Sequence, residues 1–111
     1  MIVDDTPYLV DFRPGVIRRA EAAYLSGEYS LRSRNIKTAF LSHMNPDHTI
    51  GYPDLIYTPW VMGRDEPVNV YGPKGLEDMT EHMLAAYDMD KNQRICGLEA
   101  INPDGFGAVS H

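Results

Sequence analysis

The feature that most constrains this chain is a short apolar run that leads directly into a loop of metal-binding residue types. Residues 38–41 form the apolar run, and residues 42–48 read Ser-His-Met-Asn-Pro-Asp-His. A parallel strand that is buried on both faces typically reads as a continuous apolar run. Ligands of open α/β sheets bind at the carboxyl ends of such strands. We therefore predict a core strand that carries several metal-competent side chains to one edge of a sheet.

Two interpretations of this loop are open from its residues alone. Imidazole nitrogen and carboxylate oxygen are ligand types for zinc, manganese or iron, and a catalytic zinc site typically has three protein ligands and a water. His43, Asp47 and His48 could supply three such ligands from one loop. Asn45 offers an amide oxygen, a weak ligand for these ions that is better suited to contact through water. Alternatively, the loop is a polar helix start with Asp47 as its N-cap.

Length and composition are those of one soluble domain. The chain has 111 residues, of which 43% are hydrophobic and 23% charged, which is ordinary for a globular protein. No apolar run approaches the roughly 20 residues that span a bilayer, so we expect no membrane partner. The acidic N-terminus lacks the layout of a signal peptide. The single cysteine, Cys96, excludes an internal disulfide and fits a reducing compartment, so we expect a cytoplasmic location.

The basic residues are concentrated in one segment although the net charge is −6. Six of them lie between residues 13 and 37, against two acidic residues, so this segment carries +4 and the remainder −10. The six are Arg13, Arg18, Arg19, Arg32, Arg34 and Lys37. The segment is either a solvated helix face with a loop, or a patch that faces a phosphate-bearing partner such as RNA.

Apolar periodicity and turn residues predict an α/β order of elements. Strands are predicted at residues 2–3, 8–12, 36–41 and 68–71, helices at residues 14–27 and 75–87, and a last apolar patch at residues 94–102. Residues 54–62 contain Pro59, so any helix there is expected to be short or kinked. The glycine-rich end predicts no further element. A sheet with so few strands leaves apolar faces uncovered, so the chain reads as part of a larger domain.

Residues 41–55 resemble the metal-binding motif of the metallo-β-lactamase superfamily. The family form is His-x-His-x-Asp-His followed by a Gly-x-Pro-Asp-Leu-like helix start, and here Asn45 stands at the second histidine. Three further segments, residues 8–16, 58–64 and 70–75, are similar to the ribonuclease Z and arylsulfatase-like branch of that family. The four segments occur in the family's order and extend the resemblance from about residue 8 to residue 102.

The resemblance implies an α/β fold that is the N-terminal half of an αββα sandwich, with a mixed sheet and flanking helices over residues 1–111. It also implies a site for two metals, usually zinc, with manganese or iron as alternatives. By position, His43 would be a ligand of the first metal, and Asp47 and His48 of the second. Asp47 would also orient the attacking hydroxide, and Asp11 would be an outer carboxylate that fixes a ligand histidine. The implied reaction is metal-assisted hydrolysis of a phosphodiester or related ester, in RNA or a small molecule.

Two departures from the family pattern leave three hypotheses. Asn45 replaces a histidine ligand, and the family's later ligands lie in a C-terminal half that has no counterpart in these 111 residues. The first hypothesis is a metal-dependent hydrolase present as a partial domain. The second is a degenerate member that acts as a binding or structural module, and the third is a fragment without a function of its own. The expected partners are a second copy of the chain or a complementing C-terminal half.

Overall fold

The structure, a computed structural model, describes residues 1–88, residue 105 and residues 107–111. The predicted apolar patch at 94–102 and Cys96 lie outside the described residues. The strands are β1 (Ile2–Val3), β2 (Thr6–Pro7), β3 (Leu9–Val10), β4 (Thr38–Phe40), β5 (Val68–Tyr71) and β6 (Ala108–Ser110). The α-helices are α1 (Val16–Leu25), α2 (Pro46–Thr49), α3 (Tyr52–Val61) and α4 (Leu76–Ala86), and two 3₁₀ turns occupy Tyr29–Leu31 and Ser33–Asn35. Within these ranges no helix has the length and apolarity to cross a membrane.

Four strands form one parallel sheet in the order β3-β4-β5-β6. Val10 pairs with Phe40, and Phe40 pairs with Tyr71, so the strand ends are in register along one edge. Strands β1 and β2 form a separate antiparallel pair. We predicted a mixed sheet; both kinds of pairing are present among the described residues, but in two different sheets.

Predictions at both ends of the chain differ from the structure. We predicted strands at residues 2–3 and 8–12; β3 lies within the second range and joins the main sheet, whereas β2, which we did not predict, pairs with β1. The hairpin turns earlier because Asp4 and Asp5 both adopt a left-handed backbone, with φ of 51° and 63°, as a tight two-residue hairpin turn requires. We also expected no element at the glycine-rich end, yet β6 pairs with β5, since the edge of β5 offers its backbone groups to any extended segment beside it.

Helices pack on one face of the main sheet and bury its core. In β5, Val68 and Val70 are fully buried while Tyr71 is exposed, which is the alternation of a strand with one covered face. Among the residues that the structure describes, the buried aromatic side chains are those of Phe12, Tyr52, Tyr57 and Trp60. These aromatic residues therefore belong to the core.

The opposite face of the sheet is exposed in the part of the chain that the structure describes. Val10 is 61% exposed, Phe40 39%, Tyr71 42% and Val109 45%. The rings of Phe40 and Tyr71 stack with their centroids 5.4 Å apart. We call these four residues the open sheet face. Parallel sheets are ordinarily covered on both faces, and a contiguous exposed apolar patch marks an interaction surface.

Helix α3 continues through Pro59 because Arg64 replaces the hydrogen bond that proline cannot make. We predicted that any helix at residues 54–62 would be short or kinked; α3 spans ten residues and contains Pro59. Pro59 has no N–H to donate to the Leu55 carbonyl, and Arg64 Nη1 donates to that oxygen at 3.0 Å. The same guanidinium donates to the Gly105 and Gly107 carbonyls at 3.2 Å. Arg64 therefore connects the end of α3 to the segment that leads into β6.

Candidate metal centre

The candidate site forms where β3 and β4 end side by side. Asp11 follows β3 directly, and its N–H donates to the Phe40 carbonyl at 2.7 Å, which extends the pairing by one residue. Ser42 and His43 lie just beyond the end of β4, and α2 then carries Asp47 and His48. The N–H of Phe12 donates to the His48 carbonyl at 2.9 Å. The parallel pairing thus brings together two stretches that are more than 30 positions apart in the sequence.

Asp11 is the centre of the hydrogen bonding at this site. Its backbone is left-handed, with φ of 60°, a conformation that aspartate tolerates better than most residues. Its carboxylate accepts from the Ser42 N–H at 2.7 Å, from the Ser42 hydroxyl at 2.8 Å and from His48 Nδ1 at 2.8 Å. Burial raises the pKa of Asp11, but the hydrogen bonds from Ser42 and His48 outweigh it, so the pKa lies below its ordinary value. The carboxylate is therefore ionised at neutral pH.

His48 is held between two carboxylates. Because Nδ1 donates to Asp11, the neutral ring presents a lone pair at Nε2. That nitrogen lies 3.2 Å from Asp47 Oδ2. Two acceptors therefore face each other across a gap that a proton or a metal cation would bridge. The Asp47 side chain is 65% exposed, which leaves this position open to solvent.

His43 lies against the same cluster. Its ring centroid is 3.9 Å from that of His48, and its Nδ1 is 2.8 Å from the Ser42 hydroxyl. One ligand-type atom each of Asp11, His43 and His48 lies within 4.8 Å of the others. The oxygens of Asp11 already accept hydrogen bonds from Ser42 and His48, which suits an outer carboxylate better than a metal ligand. The two imidazoles then remain as candidate ligands in this cluster, and Asp47 adds a carboxylate 3.2 Å from His48 Nε2; we call these three side chains the donor set.

Asn45 occupies the N-cap of α2, and its side chain makes no capping hydrogen bond. Its carbonyl accepts from the His48 N–H at 2.9 Å. Asp47 lies in the first turn of that helix, so the alternative in which Asp47 is the N-cap is wrong. A role for Asn45 as a weak or water-mediated ligand stays a prediction, as do the ligand roles of His43, Asp47 and His48.

The donor set fits the metals that the sequence suggested. Imidazole nitrogen and carboxylate oxygen are ligand types that zinc, manganese and iron accept, and one or two protein ligands for each metal leave positions open for further ligands and water. A carboxylate behind a ligand histidine is also usual at such sites because it fixes the ring's tautomer and orientation. Asp11 is in that position relative to His48.

Two residues of the site have physical roles that sequence reasoning did not assign. The Ser42 hydroxyl lies between Asp11 and His43. Gly51 donates its N–H to the Phe12 carbonyl at 2.8 Å, and a Cβ there would lie 2.7 Å from that oxygen. Only glycine lets the start of α3 approach the end of β3 this closely. Neither role has a local pattern that would reveal it, since each depends on contact between distant strands.

The basic segment divides into two groups. Lys37 pairs with Asp65 at 3.1 Å, and the guanidinium of Arg32 lies 5.8 Å from the centre of the Tyr24 ring. Arg13, Arg18 and Arg19 are exposed at and before the start of α1. Arg13 follows Phe12, the residue that bonds the His48 carbonyl, so Arg13 adjoins the candidate metal centre.

No protein-family model matches the chain. Among curated proteins, it is 37% identical over 65 residues to the ribonuclease Z of Methanosarcina acetivorans, which covers 59% of this chain and 21% of that protein. It is 30% identical over 108 residues to the ribonuclease Z of Methanothermobacter thermautotrophicus, which covers 93% of this chain and 33% of that protein. The chain thus spans between about a fifth and a third of these relatives' length.

The crystal structure of human tRNase Z, short form, matches the whole chain with a TM-score of 0.65 at 21% identity, over 35% of that protein. The predicted α/β class and its relation to the metallo-β-lactamase fold are thereby confirmed. These matches also confirm the predicted resemblance to the metallo-β-lactamase superfamily. Both curated relatives named above are ribonucleases Z, the branch that residues 8–16, 58–64 and 70–75 indicated.

Proposed function

We propose that this chain carries the metal-binding loop of a metal-dependent hydrolase that cleaves a phosphodiester or a related ester. One observation carries the proposal: His48 donates from Nδ1 to Asp11 and directs Nε2 at Asp47 Oδ2, 3.2 Å away. An imidazole that is fixed on one side by a carboxylate and faces a second one is arranged to share a cation with it. Similarity to ribonucleases Z supports the reaction class.

Each residue has a distinct role in this proposal. His43 is a ligand of one metal, and Asp47 and His48 are ligands of a second, with zinc preferred and manganese or iron as alternatives. Asp11 holds the His48 ring, and Asn45 contributes weakly or through water. A bound metal would supply hydroxide at neutral pH, since it lowers the pKa of the water that it binds toward about 7. Asp47 would orient the attacking oxygen.

The proposed substrate is an RNA phosphodiester, with a small-molecule ester as the alternative. The relatives are named ribonuclease Z and tRNase Z. Three exposed arginines, Arg13 beside the site and Arg18 and Arg19 in the first turn of α1, are suited to contact phosphates. The proposed setting is cytoplasmic, in keeping with the single cysteine.

The proposed partner is a complementing segment that covers the open sheet face, or a second copy of the chain. Two observations support it. The chain spans about a third of the structural neighbour, and Val10 and Tyr71 are exposed on a parallel sheet that would ordinarily be covered. The same segment would supply further metal ligands.

Metal content and hydrolysis of bis(p-nitrophenyl) phosphate by the purified chain test the function. We expect bound zinc or manganese, and a loss of both metal and turnover in His48→Ala and Asp47→Ala. The matched control is His82→Ala, because His82 is exposed on α4 and bonds only the Asp78 carbonyl of its own helix among its described contacts. Purified chain without metal and without turnover, or a His48→Ala variant that behaves like the control, would contradict the proposal.

A second candidate function is a binding module that acts through the open sheet face and holds no metal. The exposure of Phe40 and Tyr71 favours it, and so does Asn45 in place of a ligand histidine. In that case charged substitutions on the open sheet face would abolish partner binding, while His48→Ala would leave it intact.

A further inference from the structure

Ser42 lies where the two halves of the candidate site meet. Its hydroxyl oxygen is 2.8 Å from Asp11 Oδ2, 3.0 Å from Asp11 Oδ1 and 2.8 Å from His43 Nδ1. Its backbone N–H also donates to Asp11 Oδ1 at 2.7 Å. The hydroxyl therefore has the carboxylate on one side and the imidazole on the other, both within hydrogen-bond distance.

The number of available protons determines the direction of these bonds. An ionised carboxylate has only lone pairs, and a serine hydroxyl has one proton to donate and two lone pairs with which to accept. The hydroxyl proton of Ser42 therefore points at Asp11. The contact with His43 can then form only if His43 Nδ1 carries a proton and donates it to the Ser42 oxygen. A neutral imidazole protonated at Nδ1 has its lone pair at Nε2.

We propose that Ser42 is a positioning residue that sets the tautomer of His43. Asp11 then orients both imidazoles, His48 by a direct hydrogen bond and His43 through the Ser42 hydroxyl. In both rings Nδ1 carries the proton and Nε2 is free to bind a cation. The use of that Nε2 as a metal ligand rests on the proposed function, whereas the tautomer itself does not.

If Ser42 had only a structural role, its removal would have a different effect on the tautomer of His43. In that case the Ser42 hydroxyl would only hold Asp11 against the end of β4, and its removal would leave the tautomer of His43 unchanged. The tautomer is measurable without any metal, from the ¹⁵N chemical shifts of the two ring nitrogens and their couplings to the ring protons. The measurement is made at a basic pH, because the two tautomers are defined only for the neutral imidazole.

The first experiment is therefore histidine-side-chain NMR of the metal-free chain. We expect His43 to be protonated at Nδ1 in the wild type, to move toward the Nε2-protonated form in Ser42→Ala, and to retain the wild-type form in Ser42→Thr. His82 is an internal reference, because its Nδ1 bonds the Asp78 carbonyl at 2.7 Å within α4. The wild-type measurement alone decides the matter if Ser42→Ala does not fold. His43 protonated at Nε2 in the wild type, or an unchanged tautomer in a folded Ser42→Ala, would overturn the inference.

Zinc titration of the same variants is the second experiment. Loss of a group that orients a ligand typically lowers metal affinity 10- to 100-fold, so we expect that loss in Ser42→Ala and near-wild-type affinity in Ser42→Thr. Equal affinities of the wild type and a folded Ser42→Ala would count against the role of Ser42 in the site. A wild type that binds no zinc would contradict the proposed function alone, because the NMR result still decides the tautomer.

Discussion

Arg64 donates a hydrogen bond from Nη1 to the Leu55 carbonyl at 3.0 Å, the helical acceptor that Pro59 leaves without an N–H partner. Burial lowers the pKa of Arg64 to about 10, so the guanidinium is still charged at neutral pH. The described contacts of this fully buried cation are hydrogen bonds to carbonyl oxygens. A buried charge is tolerated here because those acceptors replace its hydration.

Arg64→Met should therefore destabilise the chain by about 3 kcal/mol or more, since hydrogen bonds to a charged group are lost and buried carbonyls are left without donors. Urea unfolding followed by circular dichroism measures the change. The control is Arg34→Met, an exposed arginine for which we expect a change within about 0.5 kcal/mol. Equal losses in the two variants would mean that Arg64 does not support α3 as described.

Gly51→Ala should lower both stability and metal affinity. The new Cβ would lie 2.7 Å from the Phe12 carbonyl oxygen, so the start of α3 must move away from the end of β3, and the loop that carries His48 must move with it. We expect a loss of about 2 kcal/mol, in the range for overpacking of a close contact, and weaker zinc binding. Ile50→Ala is the neighbouring control, because Ile50 is 59% exposed. A Gly51→Ala variant as stable as the control would refute the close approach.

Asp11→Asn should remove a stabilisation that depends on pH. The folded pKa of Asp11 is lowered, so the unfolded chain takes up the proton first as the pH falls, and the contribution of Asp11 is lost below its unfolded pKa of about 3.9. Wild type should exceed Asp11→Asn by about 2 kcal/mol near neutral pH, the size of a charge-assisted hydrogen bond. The two stabilities should converge as the pH falls through the folded pKa.

Unfolding free energies measured from pH 7 downward test this dependence on Asp11. Asp5→Asn is the control, since Asp5 is exposed and also has a left-handed backbone, and it should differ from wild type by less than about 0.5 kcal/mol near neutral pH. A difference between wild type and Asp11→Asn that does not shrink in acid would show that the carboxylate gains nothing from Ser42 and His48.

Asn45→His should raise zinc affinity. The substitution restores an imidazole at the N-cap of α2, next to the donor set, and costs little as a cap because the Asn45 side chain makes no capping hydrogen bond. We expect a gain of tenfold or more, about 1.4 kcal/mol for each factor of ten. Zinc competition against a chromophoric chelator measures it, with Asn35→His as an exposed control. Unchanged affinity in Asn45→His would remove residue 45 from the coordination sphere.

Val10→Lys should weaken association through the open sheet face. Val10 is 61% exposed in the row that contains Phe40, and a charge there opposes burial against a second apolar surface. Sedimentation velocity over a range of protein concentrations is expected to show self-association of the wild type and less of the variant. The control is Leu25→Lys, which also replaces an exposed apolar residue by lysine. Leu25 is 80% exposed at the end of α1, outside the open sheet face. If both variants associate alike, the open sheet face is not the contact.

Local patterns predicted the elements that local forces determine. Strand β5 has the predicted bounds, residues 68–71, because its apolar alternation is complete within four residues. Helix α4 was predicted at 75–87 and occupies Leu76–Ala86, since glycine precedes it and one face is apolar. The proximity of Asp11 to the loop after β4 was also predictable, because the carboxyl ends of neighbouring parallel strands share one edge.

Contacts between distant segments had no such signal. The Ser42 hydroxyl bridges Asp11 and His43 only because β3 and β4 pair in one particular register. The hydrogen bond from Arg64 to Leu55 and the pairing of β6 with β5 likewise depend on how separated segments pack. From sequence alone, a charged arginine is expected to be exposed. The carbonyl oxygens that accept hydrogen bonds from Arg64, and so allow it to be buried, are visible only in the tertiary structure.

The hydrogen bonds from Ser42 and His48 to Asp11 span 31 and 37 positions of sequence and cross from one strand end to the next. They exist only while β3 and β4 lie side by side. The ring-nitrogen signals of His48 therefore report whether the sheet is assembled, independently of any catalysis. An ion that binds across these two strand ends also opposes their separation, so its binding free energy adds to the free energy of unfolding. Metal binding and folding are therefore thermodynamically coupled at this edge of the sheet.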